Sequence, residues 1–196
     1  FLMTNETVKD MMFRSLHLPF IKFCEMQSSR TFQREMNSLD SGSIIHRSWD
    51  YSKEVPGVRI VIPVYNRKNH LEQSTKNLLS QINDLGRYKD LSVSLVVCEM
   101  SKKSEHELFC KNLGIDYLYI PGDVFNKSTA QSISANFFPA DNFIFYDVDL
   151  ITESGWLKSC LDTITKARSD GQNCWVCQPI PARKIYYVSE SDTEKI

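Results

Sequence analysis

Arg59-Ile60-Val61-Ile62-Pro63-Val64-Tyr65-Asn66-Arg67 is the stretch on which the fold turns. After Arg59 the run Ile60–Val64 is apolar, mostly β-branched and without polar alternation, the pattern of a strand covered on both faces. Proline is poorly tolerated inside a central strand, so Pro63 marks where pairing stops. Past it, Tyr65 can stack on a base, and Asn66 can cap a helix that begins near Lys68.

Working outward, strand-like runs are expected at Val58–Val64, Ser92–Cys98, Asp116–Ile120, Asn142–Tyr146 and Trp175–Ile180. Helical patterns lie between them. Leu71, Thr75, Leu78, Ile82 and Leu85 form a stripe at steps of four and three, and Leu108 with Leu113, Ala130 with Ile133 and Phe137, and Leu157 with Leu161 and Ile164 form shorter ones. Short apolar strands alternating with helices imply an α/β fold whose central sheet is mostly parallel and flanked by helices. Such sheets bind ligands beyond the carboxyl ends of their strands. The expected division is a helical extension over residues 1–55, with a stripe of Val8, Met11, Met12 and Leu16 closed by Pro19, and an α/β domain over 56–196. The Met- and Phe-rich extension is read as packing on that domain, on a further domain or on a second copy of the chain.

Composition narrows the function classes. The chain has 196 residues, 42% of them hydrophobic, enough for one sizeable core and an appendage. Net charge is −1, from 23 basic and 24 acidic residues, and no basic stripe argues for nucleic acid. No apolar stretch approaches the ~18 residues of a membrane span, and Phe1-Leu2-Met3-Thr4-Asn5-Glu6 lacks the marks of a signal peptide. The cysteines at 24, 98, 110, 160, 174 and 177 are scattered, which reads as free thiols in a reducing compartment and a cytoplasmic location. Cys174 and Cys177 have redox or half-zinc spacing, but they sit in a strand-like run with no second pair, so ordinary core cysteines are expected.

The residues with chemistry cluster at expected strand ends. Asp147-Val148-Asp149 closes the run Asn142–Tyr146. Carboxylates at i and i+2 of a strand share a face, roughly 6–7 Å apart, and are costly together unless a cation neutralises them. Mg²⁺ or Mn²⁺ takes such oxygen ligands and keeps positions open for phosphates. The alternative is a solvated helix entry, because Thr152, Glu153 and Ser154 follow. Glu99, after Val96-Val97-Cys98, can accept bonds from a uracil edge or ribose hydroxyls. Asn126 and Lys127 open a helix after the loop Pro121–Phe125, a natural position for a diphosphate.

Val58–Arg67, then Phe125-Asn126-Lys127-Ser128-Thr129-Ala130-Gln131-Ser132-Ile133-Ser134-Ala135-Asn136, then Phe143–Leu150 resemble, in that order, the GT-A glycosyltransferases of family 2. The middle block is most similar to the chondroitin-polymerase and galactosyltransferase-like branch, which carries a Phe-Asn-Arg/Lys element before its Asp-x-Asp. The resemblance covers roughly residues 57–165 and implies a GT-A, Rossmann-like domain using a UDP-sugar donor, a glycan or other hydroxyl acceptor, and Mn²⁺ or Mg²⁺. It implies Pro63, Tyr65 and Arg67 beside the nucleoside, with Glu99 in place of the family's usual Asp. Asn126 and Lys127 would lie near ribose and diphosphate, Asp147 at ribose or the metal's water, and Asp149 on the metal. The family's catalytic base follows the Asp-x-Asp in a Trp-Gly-x-Glu-Asp-like stretch. No such stretch follows here, which leaves Glu190, Asp192 and Glu194 as the acids able to return over the crevice, with an acceptor half expected to be shortened or to lie elsewhere. The expected function is an inverting, metal-dependent transferase. The competing readings are a non-catalytic GT-A-like binding or assembly module and, further off, a haloacid-dehalogenase-like phosphatase. That last family wants Thr where this chain has Ile151.

Overall fold

The computed structural model describes residues 43–49, 55–86, 88 and 91–170. From Ile44 onward these belong to one unit of the chain, Ile44–Ile196. In chain order they form β1 (Ile45–Arg47), β2 (Val58–Val64), α1 (Lys68–Leu85), β3 (Val93–Ser101), α2 (Glu107–Leu113), β4 (Asp116–Pro121), α3 (Lys127–Phe137), β5 (Phe143–Phe145) and α4 (Trp156–Ser169). The strands make one sheet in the order β1-β4-β3-β2-β5, parallel except for β1, which runs antiparallel to β4. The α/β class and the mostly parallel, helix-flanked sheet are therefore as the sequence predicts.

Strand alternation divides the core between two faces. Val58, Ile60, Ile62 and Val64 of β2 join Leu95 and Val97 of β3 and Tyr117 and Tyr119 of β4 on one face. There they meet Leu71 and Leu78 of α1, Cys110 of α2 and Leu157, Leu161 and Ile164 of α4. The intervening residues, Val61, Val96, Cys98, Leu118 and Ile120, are equally buried and face the other way, with Ala130 and Ile133 of α3. The Cys98 thiol donates to the Ala130 carbonyl at 3.5 Å, which fixes that face. Burial on both sides of β2 accounts for the continuous apolar run Ile60–Val64.

Several local expectations give way to packing. Pro63 does not end the ladder with β3, which continues through Val64 opposite Glu99. Arg59 N donates to Asn142 O and Tyr146 N to Val61 O, so odd-numbered positions of β2 bond toward β5. Pro63 faces that side beyond the last bond, where a missing N–H costs nothing. Asn66 does not cap α1. It sits at φ 49°, a left-handed turn that asparagine tolerates, and the N-cap is Arg67, whose side chain makes no capping bond. Leu108 and Leu113 are not a core stripe either: both are exposed, and Cys110 is the buried residue of α2. The last helix starts at Trp156, after Gly155 at φ 87°, rather than near Glu153. Of the segment assigned to a helical extension, Ile45–Arg47 is instead an edge strand. The Val8–Leu16 stripe, the Trp175–Ile180 run and the Cys174–Cys177 pair lie outside the described residues. No described helix is long and apolar enough to cross a membrane.

Candidate functional site

Strand order locates the site. The path β2, β3, β4 steps outward to one side, and β5 then returns to pair with the other side of β2. The direction of winding thus switches between β2 and β5, and crevices open at the carboxyl ends of strands flanking such a switch. Tyr65–Arg67 leave β2 at that edge, Tyr146–Asp149 leave β5, and Phe125–Lys127 lead from β4 into α3.

Asp147 and Asp149 lie just past the end of β5, in a turn closed by Leu150 N donating to Asp147 O at 3.1 Å. Val148 between them is buried in the core, so the two acids flank an inward anchor and both stay accessible. Each is already paired. Arg67 Nη1 donates to Asp149 Oδ2 at 2.8 Å, with both side chains about half exposed. Lys127 Nζ is in close contact with Asp147 Oδ1, again with both side chains about half exposed. Four of the expected site residues, from the loops after β2 and β5 and from the start of α3, therefore meet as two neighbouring ion pairs.

The remaining expected residues divide. Tyr65 is half-buried, and its ring lies 6.1 Å from that of Phe125 at 32°, an aromatic pair spanning the loops after β2 and β4. Asn126 caps α3, its side-chain oxygen accepting from Thr129 N at 3.0 Å, while Met100 Sδ accepts from its backbone N–H at 3.3 Å. Pro63 is buried within β2 and presents no surface to a ligand. Glu99 is a correction. It is fully buried on the face of α2, not at the crevice, because odd positions of β3 point toward that helix. Its carboxylate accepts from Ser101 Oγ at 2.9 Å, from the backbone N–H groups of Glu105 and His106 at 3.1 Å, and from the Tyr117 hydroxyl. Every lone-pair direction is occupied, so Glu99 ties the loop 101–106 to the sheet. Burial, with the Glu99 carboxylate alongside, pushes the Tyr117 hydroxyl pKa upward. Glu190, Asp192 and Glu194 lie outside the described residues.

A second set of residues, outside the sequence motifs, supports the acids. Asn77 Nδ2 of α1 donates to Thr152 O at 3.0 Å, and Thr152 N donates back to Asn77 Oδ1 at 3.2 Å. Gln81, one turn on, donates to Thr152 Oγ1 at 3.0 Å and accepts from Leu157 N at 3.1 Å. Tyr146 adds a bond from its hydroxyl to Leu150 O at 2.9 Å, and burial pushes that hydroxyl up to about 12. The loop after Asp149 is thus clamped to α1 by two amides spaced i, i+4 beside an apolar stripe. Gln81, three residues past Leu78 on the apolar side of the stripe, is the signal that marks them in the sequence, and it is buried.

For a hard divalent cation the donor set fits. Two half-exposed carboxylates offer oxygen alone and leave other positions to water and phosphate, the usual arrangement for Mg²⁺ with a phosphorylated ligand. Among the described residues no group of three or more His, Cys, Asp or Glu side chains forms a self-sufficient metal cage. Neither a protein-family model nor a curated protein sequence matches the chain.

Proposed function

We propose that this chain binds a UDP-sugar together with Mn²⁺ or Mg²⁺ and is a GT-A-type, inverting glycosyltransferase acting on a glycan or other hydroxyl acceptor. The observation that carries the reading is the meeting of Arg67, Lys127, Asp147 and Asp149 at the switch between β2 and β5. Two acids suit a cation, two bases suit a diphosphate, and the pair Tyr65–Phe125 borders the same edge as a platform for a base. Asp149 and Asp147 would hold the metal, which supplies neutralisation of the diphosphate leaving group. Lys127, at the first turn of α3, adds its charge to that helix's N-terminus toward phosphate. Attack by an acceptor hydroxyl needs a carboxylate base, and Glu190 or Asp192 is proposed for it. Where no such acid is in place, water substitutes for the acceptor and the expected activity is slow hydrolysis of the donor.

Calorimetry of UDP in Mn²⁺ and in chelator tests this. UDP should bind with Mn²⁺ at least about tenfold more tightly than in chelator, and Asp149→Ala should remove most of that difference. Equal affinity in the two conditions would overturn the reading.

A further inference from the structure

Each acid suited to the metal is paired with a base suited to the phosphates: Asp149 with Arg67, and Asp147 with Lys127. The four charges sum to zero. A lone divalent cation meets two neutralised carboxylates beside two positive groups, and a lone diphosphate meets the converse. Only the two ligands together replace both ion pairs at once, acids turning to the cation and bases to the phosphates.

We infer that Arg67 and Lys127 form an ion-pair latch over the Asp147/Asp149 site, holding it against metal alone and coupling metal binding to diphosphate binding. This rests on the metal–diphosphate reading above and deepens it into a rule of co-binding. The exposure of the pairs suits the role. All four side chains remain about half in water, so breaking either pair strands no buried charge. The surrounding frame is held independently of them. Val148 is buried in the core, Tyr146 bonds to Leu150, and Asn77 and Gln81 grip Thr152, so the acids stay in place when their partners leave. On the other side, Asn126 caps α3 and keeps the Lys127 backbone at the same edge. Both ion pairs can therefore exchange partners by side-chain rotation alone.

The latch makes an asymmetric prediction. Removing a base should weaken the diphosphate, as any phosphate ligand would, yet strengthen metal binding without nucleotide. Removing a cation elsewhere on this edge should do much less. Lys102, paired with Asp123 at 3.5 Å, and Lys68, paired with Glu72 at 4.0 Å, are exposed controls of the same charge.

The test is Mn²⁺ binding to the full 196-residue chain without nucleotide, read from the free-ion electron paramagnetic resonance signal. Thermal melts confirm that each variant is folded. Arg67→Gln and Lys127→Gln should each tighten Mn²⁺ by about two- to fivefold, and the double variant by about tenfold. Lys68→Gln and Lys102→Gln should stay within about 1.5-fold of the parent. No tightening in the Arg67 and Lys127 variants, tightening no greater than in the controls, or no Mn²⁺ bound by any variant would each overturn the latch. UDP in Mn²⁺ is titrated into the parent chain in parallel. Its failure to bind would overturn the metal–diphosphate reading, whereas normal UDP binding with unchanged metal-only affinity overturns the latch alone.

Discussion

The two ends of the central sheet carry similar charges and use them oppositely. At the amino ends of the parallel strands, Arg59 of β2 reaches across β3 to Asp116 of β4, Nη1 to Oδ2 at 2.5 Å, with side-chain exposures of 7% and 2%. The other oxygen of Asp116 accepts from Ser48 Oγ at 2.9 Å and Trp49 N at 3.3 Å, and the Arg59 guanidinium lies 5.2 Å from the Phe138 ring centre. At the carboxyl ends, the pairs of Arg67 with Asp149 and Lys127 with Asp147 are about half exposed, and among the described residues they carry no such surround. A buried pair that loses one partner leaves a charge with no water to take it, whereas an exposed pair that parts is simply resolvated. The amino end therefore works as structure, fastening the segment after β1 to the sheet. The carboxyl end keeps its charges exchangeable, as a binding edge requires.

The amino-end pair is the costlier of the two to break. Asp116→Ala should cost about 3–5 kcal/mol, because it strands Arg59 and releases Ser48 and Trp49 together. Urea unfolding measures this, and a loss under about 1 kcal/mol would mean the two ends do not differ as described. Next in size, Lys127→Ala should leave stability within about 0.5 kcal/mol of the parent while weakening UDP about tenfold and uridine less than twofold. A similar loss for uridine in titration calorimetry would make Lys127 a structural residue, on a par with Arg59.

The smallest effect concerns the interior between the two ends. Burial pushes the Cys98 thiol up to about 12, and the Cys110 thiol likewise up to about 12. An unfolded thiol titrates near pH 8.5. Between about pH 9 and 12 the unfolded chain gives up protons that the folded chain keeps, so stability falls as pH rises through that window. Cys98→Ala should flatten the fall by up to about 1 kcal/mol per pH unit, seen in unfolding free energies at pH 9 and 10.5. An unchanged slope would show that Cys98 is more open to solvent than its place between β3 and α3 implies.

Much of this was legible one segment at a time. Val58–Val64 reads as a strand because Val58 and the run Ile60–Val64 are apolar enough to be buried on both sides, and β2 has those bounds, with Arg59 buried through its pair with Asp116. The stripes of α1 and α4 are legible because a helix face repeats every three to four residues, and Leu71, Leu78, Leu157, Leu161 and Ile164 are all buried. The opening of α3 at Lys127 is legible from a capping asparagine. By contrast, α2 is one short helix whose exposed Leu108 and Leu113 imitate a core stripe. β1 is a three-residue edge strand whose sequence, Ile45-His46-Arg47, carries no strand pattern at all.

The sequence by itself determined the residue types that matter at the carboxyl edge and the α/β alternation that brings strand ends there. Those are local properties, set by side-chain chemistry and by backbone periods of two and 3.6. Only the tertiary structure decided who meets whom. Glu99 and Asp149 both come after apolar runs, yet Glu99 is sealed within β3 beneath α2 while Asp149 meets Arg67, 82 residues earlier in the chain. That outcome depends on strand order and on which sheet face each odd or even position shows to a helix. Neither is encoded in any one segment, because both are set by how all the segments bury their apolar faces against one another.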